Sequence, residues 1–145
     1  MQIPEYVTAE EVKRVCKELN IRDWSVMEEP RVTEDEAEAI LSAMNVEGMD
    51  ITLEDFKQGL EVELEHGTQF KDANVTNNHP ILTGKIVLAH FKESLDYYKR
   101  LEVAEIEGDL FKAVVARNPE KVEALYRELI EARHILSTEE SDNLK

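Results

Sequence analysis

The side chains of this sequence that could do chemistry are imidazoles and carboxylates at one-turn helical spacing. Glu63 and His66 stand three apart in TLEDFKQGLEVELEHG, and His90 precedes Glu93 and Asp96 in PILTGKIVLAHFKESLDYYKRL. A carboxylate beside an imidazole suits a divalent metal, or a general base with the group that orients it. The candidate cluster is therefore Glu63, His66, His90 and Asp96. Within it Glu63, His66 and His90 form the metal-ligand set, with Asp96 or Glu93 as a further ligand. No cofactor is expected beyond that divalent metal. Di-iron bundles need Glu-x-x-His on two helices, whereas the second motif here is reversed, His90-x-x-Glu93, which counts against a di-iron centre. The plainer alternative leaves His66 against the carbonyls of its own helix end and His90 as a hydrogen-bonded core histidine.

Two helices must position these groups. Thr52 caps the first, with Asp55 in the capping-box position, and Gly67 stands where glycine closes a helix. Leu53, Phe56, Leu60 and Leu64 form its apolar stripe; Glu63 and His66 border it, beside Gly59. Pro80 suits the first turn of the second helix, in which Ile86, Leu88, Phe91 and Leu95 join the expected core and His90 falls on the apolar side. The central pair thus spans 52–66 and 80–101. A tight antiparallel hairpin would leave His90 ~15 Å along the axis from His66 at ~1.5 Å per residue. The polar connection 67–79 is long, and ~40 Å of extended chain could instead carry the second helix back so that the groups meet.

Taken in order, the chain opens with Thr8-Ala9-Glu10-Glu11, a capping-box pattern before Val12, Val15, Cys16 and Leu19. Thr33-Glu34-Asp35-Glu36 repeats the device. Thr8, Glu11, Val15, Leu19, Asn20 and Ile21 align with Thr33, Glu36, Ile40, Met44, Asn45 and Val46, the pattern of a duplicated capped helix. Trp24, the only tryptophan, is expected to plug the core. Asn45 to Asp50 fails as a calcium loop because its oxygen ligands do not recur at alternate positions. Beyond Leu101 the helical pattern continues through Val103, Ile106, Leu110 and Val114 with Gly108 as a break; Asn118-Pro119 opens a last helix through Val122, Leu125, Leu129 and Leu136. The expected fold is all-α, one compact domain over 1–145 of about six helices. Its parts are the similar helices at 8–46, a core at 50–102, C-terminal helices at 103–136 and a frayed tail at 137–145.

The 145 residues carry 32 acidic against 17 basic side chains, a formal charge of −15. That surface repels phosphate backbones, so direct nucleic-acid binding is not expected; a basic protein partner, or occupation of a nucleic-acid-binding protein's groove, would suit it. With Cys16 alone, no intramolecular disulfide forms, and Cys16 on an apolar position reads as inert. MQIPEYVTAEEVKR resembles neither signal peptide nor membrane span, and no later run approaches ~18 apolar residues, so the expected place is cytoplasmic and off the membrane. The sequon Asn74-Val75-Thr76 is then idle. Neither a nucleophile elbow nor a dinucleotide loop is present, and Thr83-Gly84-Lys85 lacks the upstream glycine of a phosphate loop.

GLEVELEHGT at 59–68, NVTN at 74–77 and PILTGKIVLAHFKESLDYYKRLE at 80–102 resemble an uncharacterised bacterial and phage family of unknown function. The resemblance covers roughly 33–102, rests on several spaced motifs and brings no activity with it. Asn78-His79 departs from it, since the family pattern carries acidic residues there. The leading functional expectation is a non-enzymatic, acidic helical module that binds another protein. The alternative is a small metal-binding protein or metal-dependent hydrolase using the Glu/His cluster.

Overall fold

The structure is a computed structural model that describes residues 6–44, 46 and 48–145. Among these residues are six α-helices and no strand, so the all-α expectation holds. The helices are α1 (Ala9–Glu18), α2 (Glu34–Ala43), α3 (Leu53–Gln69), α4 (Pro80–Glu93), α5 (Tyr97–Val115) and α6 (Pro119–Asn143), with short 3-10 turns at Trp24–Val26 and Lys71–Ala73. The chain divides into two compact units, Met1–Lys92 and Glu93–Lys145.

In the first unit, three threonines start three helices. The hydroxyls of Thr8, Thr33 and Thr52 accept the amides of Glu11, Glu36 and Asp55 at 3.2, 3.3 and 3.0 Å. Each satisfies an amide that has no partner within its own helix. α2 has the full reciprocal box, with Glu36 Oε2 accepting the Thr33 amide at 2.9 Å. The aligned Glu11 instead turns its carboxylate to Arg14. α1 and α2 end at the aligned positions Leu19 and Met44. Asn45, the counterpart of Asn20, lies outside the described residues, as does Glu47 of the loop compared with a calcium site.

The core of this unit takes Val12, Cys16, Trp24, Ile40, Phe56, Leu60 and Leu64, all at most 1% exposed. Trp24 is the plug its solitary occurrence suggested, and burial pushes the Cys16 thiol pKa up. Leu53 is only half-buried. α4 offers a different face from the one its dense apolar run implied. Pro80, Thr83, Gly84, Val87 and Phe91 are buried, whereas Ile86 and Leu88 are half-buried and Leu95 is exposed. Three consecutive apolar residues span 200° of a helix and cannot all face one partner. The choice follows from Gly84, where an added Cβ would lie 2.8 Å from Met44 Sδ and 3.0 Å from Ile40 Cγ2, so α4 crosses close to the end of α2.

Two expected helix ends are corrected. Gly67 does not terminate α3, which continues to Gln69. The helix expected over 80–101 is broken at 94–96. There the Ser94 hydroxyl donates to Asp96 Oδ1, and Asp96 also accepts from Arg100 at 2.9 and 2.6 Å. Short polar side chains compete with the helix for local hydrogen bonds, and here they win without glycine or proline.

The second unit is an antiparallel pair, α5 and α6. Ala113 on α5 and Leu125, Leu129 and Ala132 on α6 are its buried seam residues. Ion pairs fix the register: Lys99 to Glu139 and Arg100 to Glu140 at 2.7 Å each, Glu107 to Arg133 at 2.5 Å. α5 runs straight through Gly108, and α6 continues to Asn143 instead of fraying after Leu136. The turn between them is as read: Asn118 Oδ1 accepts the Lys121 amide at 3.1 Å, and Pro119 begins the helix. No helix among the described residues is long and apolar enough to cross a membrane.

Candidate functional site

α3 and α4 bring together two of the four candidate residues. His90 Nε2 lies 3.4 Å from Glu63 Oε1, with both side chains mostly covered. A tight hairpin would set Glu63 near Thr83, so the 67–79 connection has carried α4 back across α3. His66 is exposed, and its carbonyl accepts the Phe70 amide at 2.8 Å. A spacing of three residues separates side chains by 60° around a helix, and here Glu63 is sheltered while His66 is wet. Asp96 belongs to the second unit, where Arg100 holds its carboxyl below the usual range, against the opposing effect of burial. Among the described residues, no three His, Cys, Asp or Glu side chains are grouped to hold a metal ion.

The Glu63–His90 pair is a carboxylate-oriented imidazole that also ties two helices. A double-mutant cycle with Glu63→Ala and His90→Ala is expected to give a coupling of about 0.5–1 kcal/mol in urea unfolding, since the pair is only partly desolvated. Additive losses would show that the contact contributes no coupling.

The densest polar cluster is elsewhere. Glu36, 4% exposed, accepts from Arg22 Nε and Nη2 at 2.8 and 2.7 Å, from the Trp24 indole at 3.2 Å and from the Thr33 amide at 2.9 Å. Burial alone would raise its pKa; the Arg22, Thr33 and Trp24 hydrogen bonds more than reverse that and lower it to about 2. The capping box was legible in sequence, but the second duty of its glutamate was not, because Arg22 lies 14 residues away.

A second cluster occupies the loop between α3 and α4. Asn74 Nδ2 donates to the Gly67 carbonyl at 3.3 Å and to Asn78 Oδ1 at 2.9 Å, while Asn78 Nδ2 reaches the Trp24 carbonyl at 3.5 Å. Asn77 Nδ2 donates to the Val7 carbonyl. Asn77 and Asn78 both have left-handed backbones, φ 48° and 59°, a conformation that asparagine tolerates better than most residues. His79 Nδ1 then accepts the Leu82 amide at 3.3 Å and starts α4. Asn78 and His79, the positions that depart from the resembled family's acidic pattern, thus have structural work: one latches the loop, the other caps a helix.

His79 is buried, and desolvation depresses its pKa, with Glu11 opposing and Arg14 and Lys85 assisting. A neutral ring is also what the Leu82 bond requires, since a protonated Nδ1 cannot accept. Where the unfolded chain binds the proton and the folded chain does not, stability falls with acid. The unfolding free energy is therefore expected to drop as pH falls from about 6.5 toward the depressed folded value. His79→Gln should flatten that part of the profile; an unchanged slope in the variant would remove His79 as its source.

The third feature is apolar. Phe111, Val114 and Val115 on α5 and Tyr126 and Ile130 on α6 are each at least 50% exposed. Sequence periodicity placed Val114 in one stripe with Val103, Ile106 and Leu110, but Val114 is exposed, and the other four residues were not singled out.

No curated protein and no solved structure matches the chain. The family model described as protein of unknown function (DUF5661) matches residues 12–107. That span is wider than the 33–102 read from the motifs and takes in most of α1. It includes the Glu36 cluster, the Glu63–His90 pair and the amide loop, and it stops before the exposed apolar residues of the hairpin. The chain belongs to the DUF5661 family.

Proposed function

We propose that this protein is a protein-binding module whose docking surface is one face of the α5–α6 hairpin. The observation that carries the reading is the group of five large apolar side chains left in water at Phe111, Val114, Val115, Tyr126 and Ile130. Scattered apolar residues on a surface need no explanation, but a contiguous patch with two aromatics is the composition of an interface core. Helical phase makes the patch contiguous. At 100° per residue, Phe111 and Val114 fall to one side of the α5 seam; Tyr126 and Ile130, on a helix running the other way, fall to the same side of the hairpin.

The net charge of −15 adds a long-range attraction for a basic partner. The two contributions separate by salt. Immobilised full-length chain is to be exposed to native-host lysate at about 0.1 M and 1 M salt, beside Phe111→Glu. A partner held through the patch survives high salt and is lost with Phe111→Glu, which is expected to weaken binding about 100-fold. A partner lost in salt but indifferent to Phe111→Glu would move the contact to the acidic surface and end this assignment.

A further inference from the structure

The hairpin face carries charge as well as apolar surface, and the arrangement of that charge names an occupant. Glu107 pairs with Arg133, and Arg100 with Glu140, across the two helices. These pairs set the levels along the hairpin, placing Phe111 beside Ile130 and Val114 beside Tyr126. By helical phase, Glu107, Arg133, Arg100 and Glu140 project on the same side as the apolar patch. The face thus reads, from the α5–α6 turn outward, two apolar rows, then an acid–base row, then a base–acid row. The acidic helix of each row alternates; the Glu107–Arg133 row is neutral, and in the outer row Arg100 is shared between Glu140 and Asp96.

Resting on the reading of this face as a docking surface, we propose that its occupant is a second copy of the same chain, forming a four-helix bundle about a two-fold axis parallel to the hairpin. That operation lays α5 of one copy over α6 of the other. Glu107 then meets Arg133 of the second copy, Arg100 meets Glu140, Phe111 meets Ile130 and Val114 meets Tyr126. Every row is complementary to itself under the two-fold, which is the condition for an isologous interface. Neighbouring helices are antiparallel throughout, as in up-and-down bundles. The two arginines on this face lessen the repulsion that two copies of so acidic a chain would otherwise meet. A face two helices wide and as long as α5 measures roughly 20 by 28 Å, which, with side-chain relief, is of the order a stable dimer buries per subunit. The 19 residues of α5 supply that length.

Sedimentation equilibrium of the full chain from about 5 to 200 µM tests this, with circular dichroism to check that each variant stays helical. The wild type is expected to reach twice the 16.7 kDa of one chain. Phe111→Glu should weaken association about 100-fold. Arg133→Glu makes the acid–base row wholly acidic and Glu107→Arg makes it wholly basic; each alone should weaken association about 10-fold, and an equimolar mixture should restore it. A wild type that stays at one-chain mass throughout overturns the proposal. If such a monomer still retains a lysate protein that Phe111→Glu loses, the docking face stands and only its self-association falls. A dimer untouched by Phe111→Glu, or one whose charge variants fail to rescue each other, overturns this interface and its two-fold.

Discussion

Glu36→Ala is expected to lower the unfolding free energy by about 3–4 kcal/mol, because it strips a buried hub and leaves the indole, an amide and a guanidinium without their acceptor. The readout is urea unfolding followed by Trp24 fluorescence, since the ring that reports also donates to the residue removed. Arg22→Ala should cost less, about 1–2 kcal/mol: its side chain is 56% exposed, and the Trp24 and Thr33 donors to Glu36 remain. Acid makes the same point reversibly. With the folded carboxyl at about 2 and an ordinary value of 4.5, the contribution is present above about pH 4.5 and is lost as pH falls through 2. Glu36→Gln keeps the shape and should lose this acid dependence. A Glu36→Ala loss under about 1 kcal/mol would show that water replaces the hub's bonds.

Gly67→Ala is expected to destabilise by a net ~2 kcal/mol, even though alanine in a helix gains up to ~1 kcal/mol over glycine. Its Cβ would sit 2.2 Å from Asn78 Oδ1 and 2.8 Å from Asn74 Nδ2, atoms already bonded to each other. Relief requires breaking the latch on the Gly67 and Trp24 carbonyls. Gly84→Ala is the control. Its nearest neighbours are Met44 Sδ and Cε at 2.8 and 2.9 Å, the adaptable end of an unbranched side chain, so its net effect should stay within ~1 kcal/mol. Thermal and urea unfolding of both variants decide it. Equal effects would mean that the amide loop yields as readily as a methionine.

Those two glycines show where sequence reasoning reached and where it stopped. The three threonine caps, Pro80, Pro119 and the plug at Trp24 were legible because each acts through neighbours within a turn or through bulk hydrophobicity. Gly67 was read as a helix end because glycine is common there; its reason is an asparagine eleven residues on, which no local rule sees. The break at 94–96 hid for the opposite cause. Ser94 and Asp96 fit a helical pattern until Arg100 gives Asp96 a better partner. Of the candidate cluster, the sequence could give the one-turn spacing of Glu63 and His66 but not which of them α4 would cover. His90 meets Glu63 because α4, whose Gly84 lies against Ile40 and Met44, returns toward α3, and Asp96 departs with the broken helix.

The bond from Asn77 to the Val7 carbonyl spans 70 residues, and that from Asn78 to Trp24 spans 54. The α5–α6 pair closes over shorter stretches, 26 residues between Glu107 and Arg133. On a ribosome adding about 5–20 residues per second, the start of the chain therefore waits roughly 4–14 s between its own synthesis and that of the loop that fastens it. Through that interval α1 is covered by chain made soon after it, the Trp24–Val26 turn, whose Trp24 amide donates to Cys16 Sγ at 3.4 Å. The amide loop thus fastens the start of the first unit in the course of its synthesis, and α4, made after the loop, completes the core with Val87 and Phe91.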